Sequence, residues 1–535
     1  MIRARETIST CALLLVGLFA SCATDDADPV ATVSSELARA DHAAFALTTE
    51  GFIRGTASTA MRAFRGIPYA AAPVGALRWK PPQRHARWHD VRDATQFASH
   101  CAQLAGPFGR ATGDEDCLFL NVYTPNDHRL QLRPVMVWIH GGALVTGESD
   151  DYDATRMVDQ GDVIVVTINY RLGGLGFTAH PALTAESAHH ASGNYGLLDQ
   201  QEALRWVQRN ILLFGGDPSR VAIFGESAGG LSVHAQLASP GSHGLFQRAI
   251  AESGAYQLTQ PSLAAGEAAG VDFATRAGCA DQTAACLRGL SVAQVLANQP
   301  GGVGGATPVV DGRFLTQSIG DAFASGAFNR VPVIEGANHD EWRLFVALTT
   351  LVTGPTPPAG YPAAIQATLG VPAALVPLFV AQYPLASFPS PDLALSALGT
   401  DGIFDCNARF AAAKLSQFVP TFAYEFADPD APQRFLPPVS FPYGAAHASE
   451  IQYLLDLPVT VPAPAFDADQ RKLSEAMISY WTTFARTGQP TSFTTPLWPR
   501  YRADLDIVQS LVPPTPHPDA GFAADHHCAF WDSLR

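Results

Sequence analysis

The sequence predicts an α/β fold with a central, mostly parallel sheet flanked by helices. Three observations point to it. Short apolar runs rich in β-branched residues recur without polar alternation, as in strands covered on both faces. Helical periodicity fills intervals between them. One glycine-rich hexapeptide joins such a run directly to a helix-like segment.

Of the 535 residues, 47% are hydrophobic and 16% charged, which excludes a mainly disordered chain. A net charge of −15 repels phosphate backbones and argues against nucleic-acid binding. No phosphate-binding G-x-x-x-x-G-K-[ST] loop occurs, and no Cys/His group has zinc-finger spacing.

In chain order, residues 1–21 read as a signal peptide: Arg3 and Arg5 precede the apolar stretch 11–20 (CALLLVGLFA), which is too short to span a bilayer. It runs into Phe19-Ala20-Ser21-Cys22, which resembles a bacterial lipobox with Cys22 as the acylated residue; plain cleavage after Ala23 is the alternative. Residues 22–45 are acidic and small, as in a tether, and 46–535 read as a single domain. Export to an oxidising compartment, as a lipoprotein or a secreted protein, is the expectation.

Residues 133–138 (RPVMVW) lead through Ile139 into His140-Gly141-Gly142. Residues 162–169 (DVIVVTIN), 221–224 (VAIF) and 331–335 (VPVIE) are further strands of the same kind. Leu197, Leu204, Val207 and Ile211 recur at helical spacing, and the pattern stops at Gly215-Gly216-Asp217-Pro218. Residues 343–400 are apolar but carry Pro355, Pro357, Pro358, Pro362 and Pro372; they predict a helical excursion over the sheet.

Of eight cysteines, removing Cys11 and Cys22 leaves Cys101, Cys117, Cys279, Cys286, Cys406 and Cys528. Spacing favours Cys101–Cys117 and Cys279–Cys286 with Cys406–Cys528 as the long closure, among about 15 formal connectivities.

The chemistry concentrates in Gly225-Glu226-Ser227-Ala228-Gly229-Gly230, between the strand VAIF and residues 231–238 (LSVHAQLA). A sharp strand-to-helix turn exposes the Ser227 hydroxyl, and only glycines fit where strand and helix cross. A hydroxyl nucleophile needs a base, and the base needs an orienting acid, in the chain order Ser, acid, His. Asp340 and Glu341, after the strand at 331–335, are the acid candidates; His447, His517, His526 and His527 follow them. His447 lies in a small-residue loop suited to reaching a shared site. The loop His140-Gly141-Gly142-Ala143, with Ala228, supplies backbone N–H donors for an oxyanion.

These stretches, with Phe64-Arg65-Gly66-Ile67-Pro68-Tyr69-Ala70, Glu115-Asp116-Cys117-Leu118-Phe119-Leu120-Asn121-Val122 and Gly193-Asn194-Tyr195-Gly196, resemble the type-B carboxylesterase family of α/β-hydrolases, closest in character to its bacterial para-nitrobenzyl esterases. The resemblance implies Ser227 as nucleophile, Glu341 rather than Asp340 as acid, and His447 as base. It also implies Gly142, Ala143 and Ala228 as oxyanion donors, and it supports the three cysteine pairings. Glu226 matches an acidic family position that either tunes His447 or is structural. Ala143 stands where the family often has a third glycine, which narrows the site. The loop from Cys101 to Cys117 has no Trp to hold a quaternary ammonium group, so choline esters are not expected substrates.

The implied function is hydrolysis of small-molecule carboxylic esters through an acyl-enzyme, with no metal or organic cofactor and no membrane contact beyond a lipid on Cys22. The rival readings are a non-catalytic adhesion protein of the same fold, and an amidase, lactonase or thioesterase using the same site.

Overall fold

The computed structural model describes residues 43–127, 131–299 and 305–535. The signal peptide, Cys22 and the tether up to residue 42 lie outside the described residues. The first strand, β1 (Ala43–Leu47), begins three residues before the expected domain start at 46. Ala44 and Ala46 are its buried side, so residues that read as linker by their small size serve as a strand edge.

The remaining strands are β2 (Phe52–Ala57), β3 (Met61–Pro68), β4 (Arg92–Asp93), β5 (Phe119–Pro125), β6 (Arg133–Ile139), β7 (Ile164–Ile168), β8 (Gly216–Glu226), β9 (Arg248–Glu252), β10 (Val333–Asn338), β11 (Thr421–Phe426), β12 (Val508–Leu511) and β13 (His517–Asp519). They form one sheet in the order β1-β2-β3-β5-β7-β6-β8-β9-β10-β11-β12-β13, with β4 beside β2. From β7 to β12 every neighbouring pair is parallel; β2-β3-β5-β7 and β12-β13 are antiparallel margins.

The unbroken apolar runs follow from burial on both faces. Val135, Val137, Ile139, Ile164, Val166, Val221 and Ile223 point into one core, packed by the helices Tyr195–Asn210 and Ala228–Ala238. Met136, Trp138, Val165, Ala222 and Phe224 point into the other, packed by the 20-residue helix Ala468–Thr487. Each buried Val, Ile, Met or Phe among them contributes about 1.5–3 kcal/mol by leaving water.

The periodic segment ends as a helix at Asn210, tightens into a 3-10 turn Ile211–Phe214 and stops at Gly215 (φ 89°). Gly216-Asp217-Pro218 belong to the start of β8 instead of the helix terminus. The excursion forms as expected, in the helices Arg343–Thr353, Tyr361–Leu369, Val376–Gln382 and Pro391–Gly399. Several of its prolines open helices: Pro362, Pro377 and Pro391 occupy first-turn positions, where no N–H is needed. A π-turn, Thr400–Asp405, then leads into the helix Cys406–Leu415. All three expected disulfides are formed: Cys101–Cys117, Cys279–Cys286 and Cys406–Cys528.

Candidate active site

Register places the carboxyl ends of the central parallel strands side by side. Ile139 of β6 pairs with Gly225 of β8, Glu226 with Glu252 of β9, and Glu252 with Gly336 of β10. The loops that leave these ends carry the predicted functional groups, at the edge where parallel α/β sheets bind ligands.

Ser227 sits at the bend between β8 and the helix Ala228–Ala238, with φ 57° and ψ −119°. That conformation is strained for a side-chain-bearing residue and is held by the crossing around it. A Cβ on Gly229 would lie 1.9 Å from the Ile139 carbonyl oxygen, and one on Gly225 2.5 Å from the same atom. A Cβ on Gly230 would meet the Glu252 carbonyl at 2.5 Å. Sterics therefore require all three glycines.

Glu341 follows β10 by three residues and is fully buried. Its Oε1 accepts from the Asn338 backbone N–H at 2.9 Å, and its Oε2 lies 2.5 Å from His447 Nδ1. The His447 N–H also bonds the Glu341 carbonyl at 3.3 Å. Asp340 faces elsewhere, pairing with Arg343 at 2.7 Å and His339 at 3.2 Å and accepting from the Ala445 N–H. Geometry thus separates the two adjacent acids: Glu341 faces His447 and Asp340 faces Arg343. The other candidate histidines do not reach this acid: His517 is exposed on β13, and His526 and His527 pair with Asp401.

The opposite nitrogen, His447 Nε2, lies 3.1 Å from Glu226 Oε1, one residue before the serine. Burial, reinforced by Glu341 and Glu252, pushes the Glu226 carboxyl well above the usual carboxylate range. That shift favours its neutral form, whose O–H can donate to Nε2 while Nδ1 faces Glu341. Among the described residues the Ser227 hydroxyl makes no hydrogen bond; the group that meets Nε2 is Glu226, its neighbour in the chain.

The loop from His140 to Leu144 is equally constrained. A Cβ on Gly141 would lie 3.2 Å from Ser227 Cβ, so the loop backbone runs against the elbow. Gly142 (φ 99°), Ala143 (φ 54°) and Leu144 (φ 61°) are all left-handed. Among the described residues no hydrogen bond takes up the N–H of Gly142, Ala143 or Ala228. His140 props the loop from beneath: its ring stacks on Tyr170 at 4.5 Å and contacts the Gly141 carbonyl at 2.9 Å. Burial lowers His140 to about 4, so it is neutral.

Sequence reasoning missed the groups that hold the histidine. Phe404 of the π-turn and Phe345 of the excursion pack on the His447 ring at 4.9 and 5.1 Å. Asn338 bridges the Ala446 carbonyl (3.0 Å) and the Glu450 carboxyl, tying the histidine loop to β10. An amide ending a strand three residues before the acid was the one local signal available.

The carboxylesterase family model matches residues 42–531. An acylcarnitine hydrolase of Mus musculus is 36% identical, covering 84% of this chain and 83% of that protein. A fumonisin B1 esterase of Sphingopyxis macrogoltabida is 34% identical over 86% and 85% of the two chains. A para-nitrobenzyl esterase of Bacillus subtilis is 35% identical over 85% and 92%. With a match over nearly the whole folded body, and the family's glycine-framed elbow at the sheet's carboxyl edge, the chain belongs to the carboxylesterase family and is a carboxylic ester hydrolase.

Proposed function

We propose that the protein is an exported serine carboxylesterase working through an acyl-enzyme on a Ser227–His447–Glu341 triad. The observation that carries this reading is the Glu341–His447 pair, buried beside the Ser227 elbow with Nε2 left to face the reaction. When an ester enters, the imidazole exchanges its Glu226 contact for the Ser227 hydroxyl and takes its proton as the oxygen attacks the carbonyl. Glu341 stabilises the imidazolium that forms. The tetrahedral oxyanion rests on the N–H groups of Gly142, Ala143 and Ala228, each worth about 10²–10³ in rate. His447 then protonates the departing alcohol and activates the water that releases the acid. No step draws on a metal or organic cofactor.

The relatives' names cover carnitine, para-nitrobenzyl and fumonisin B1 esters, whose shared feature is an ester carbonyl on a small molecule. Ser227→Ala is expected to lower kcat on a para-nitrophenyl acyl ester by at least about 10⁴-fold and to abolish covalent labelling by a fluorophosphonate probe. Wild-type turnover by that variant sinks the mechanism.

Export is supported by the three disulfides, which need an oxidising compartment. The mature protein is expected to begin at Cys22 with a diacylglycerol adduct. An intact mass starting at residue 1, or one without lipid on a membrane-extracted product, removes that reading.

A further inference from the structure

On the excursion side of the sheet a second group of polar side chains converges, separate from Ser227 and His447. Glu425 lies near the end of β11, register-paired with Ala337 of β10, and His339 follows β10 directly. His526 comes from the C-terminal segment. The three side chains offer ligand atoms that all lie within 4.8 Å of one another. We propose that His339, Glu425 and His526 bind one divalent late-first-row metal ion, with zinc as the reference case.

Each imidazole is already oriented for this. His526 Nδ1 faces Asp401 Oδ1 at 2.8 Å, leaving Nε2 on the Glu425 side, 2.8 Å from its Oε1. His339 Nδ1 faces Asp340 Oδ1 at 3.2 Å, leaving its Nε2 as the ligand atom. A carboxylate on the far nitrogen fixes tautomer and ring direction, the usual outer support of a metal-bound histidine. Two histidines and one carboxylate with open positions suit zinc or a similar ion.

Charge points the same way. Asp405 is fully buried, and neither of its oxygens has a hydrogen bond among the described residues. Its Oδ2 lies 3.0 Å from the His526 nitrogen that Asp401 already takes. A buried carboxylate so placed is neutralised either by a proton or by added positive charge, and a metal ion on His526 supplies the latter. Both histidines of the set line a cavity of about 300 Å³, with Asp401, Ser396, Phe388 and His527, which gives an ion a route in.

The covalent frame preorganises the set. Cys406 directly follows Asp405, Cys528 stands two residues beyond His526, and the two are disulfide-bonded. The other candidate group, His100, Glu148 and Asp150, differs on the decisive point: Arg110 pairs with both of its carboxylates at 2.5 Å, so a cation is already in place.

The test uses the full disulfide-bonded chain, stripped with a chelator and then titrated with Zn²⁺ by calorimetry and with Co²⁺ by visible absorption. One ion per chain is expected, with a Co²⁺ d–d band typical of low-symmetry nitrogen and oxygen ligation. His339→Ala, at a half-exposed ring, and Glu425→Gln should each weaken binding at least tenfold, whereas His517→Ala should leave it unchanged. Because binding is read without turnover, the result is independent of the esterase mechanism. Absence of stoichiometric uptake, or uptake indifferent to His339→Ala and Glu425→Gln in chains whose thermal midpoint shows them folded, overturns the proposal.

Discussion

Gly141 shows how little room the candidate site has for change. A methyl there would sit 2.9 Å from the Glu226 carbonyl and 3.2 Å from Ser227 Cβ, so Gly141→Ala must displace either the proposed oxyanion loop or the elbow. A fall in kcat of about 10²-fold is expected, on the scale of one lost oxyanion donor, with far-UV circular dichroism unchanged; activity within twofold of wild type contradicts it. Ala143 is the reverse case: at φ 54° it carries a left-handed strain of about 1–2 kcal/mol that glycine does not. The proposed triad of Ser227, Glu341 and His447 was legible because chemistry fixes the residue types it needs and the fold fixes their order. Phe404 and Phe345 were not, since nothing local distinguishes a phenylalanine that braces an imidazole from one that fills a core.

Elements built from unbroken β-branched runs were readable because both faces of the sheet are covered, as at β6, β7 and β8. Sheet margins and strand starts were not: β1 hides in a tether-like composition, and the start of β8 reaches back through Pro218 to Gly216. The π-turn Thr400–Asp405 left no periodic trace, yet it holds Phe404 against His447 and Asp401 against His526. The long cross-link is anchored at its end, where Cys406 opens the next helix. Replacing Cys406 and Cys528 together by Ala should lower stability by about 5 kcal/mol in the chain-entropy picture, where a loop of about 100 residues is worth nearly that. Urea unfolding measures it, and a loss below about 1 kcal/mol rejects that account.

At the scale of the whole molecule, buried carboxyls tie stability to pH. Glu252, on the central strand β9, is fully buried with Oε1 accepting from the Trp481 indole at 2.8 Å, and burial pushes its carboxyl up to about 8. In the unfolded chain the same group titrates near about 4.3. Below that value both forms hold the proton and no pH dependence arises. Between there and about 8 only the folded form holds it, so unfolding releases a proton and stability falls as pH rises, by about 1.4 kcal/mol per unit. Glu252→Gln keeps the acceptor and removes the titration, so urea midpoints at pH 5 and 8 should lie closer together than in wild type. Equal slopes in both proteins exclude Glu252 as the source. The His339–Glu425–His526 group was invisible at this scale too: its members come from three distant segments, and no spacing along the chain announces them.

Cys528 lies 122 positions beyond its partner Cys406, which opens the helix that follows the π-turn bearing Phe404. A ribosome must therefore make that whole interval before this bridge can close. A product cut short anywhere ahead of Cys528, whether by proteolysis or by a premature stop, keeps Cys406 without its partner thiol and loses the cross-link behind the segment that carries Phe404. Oxidation of the bridge thus reports that translation has passed Cys528.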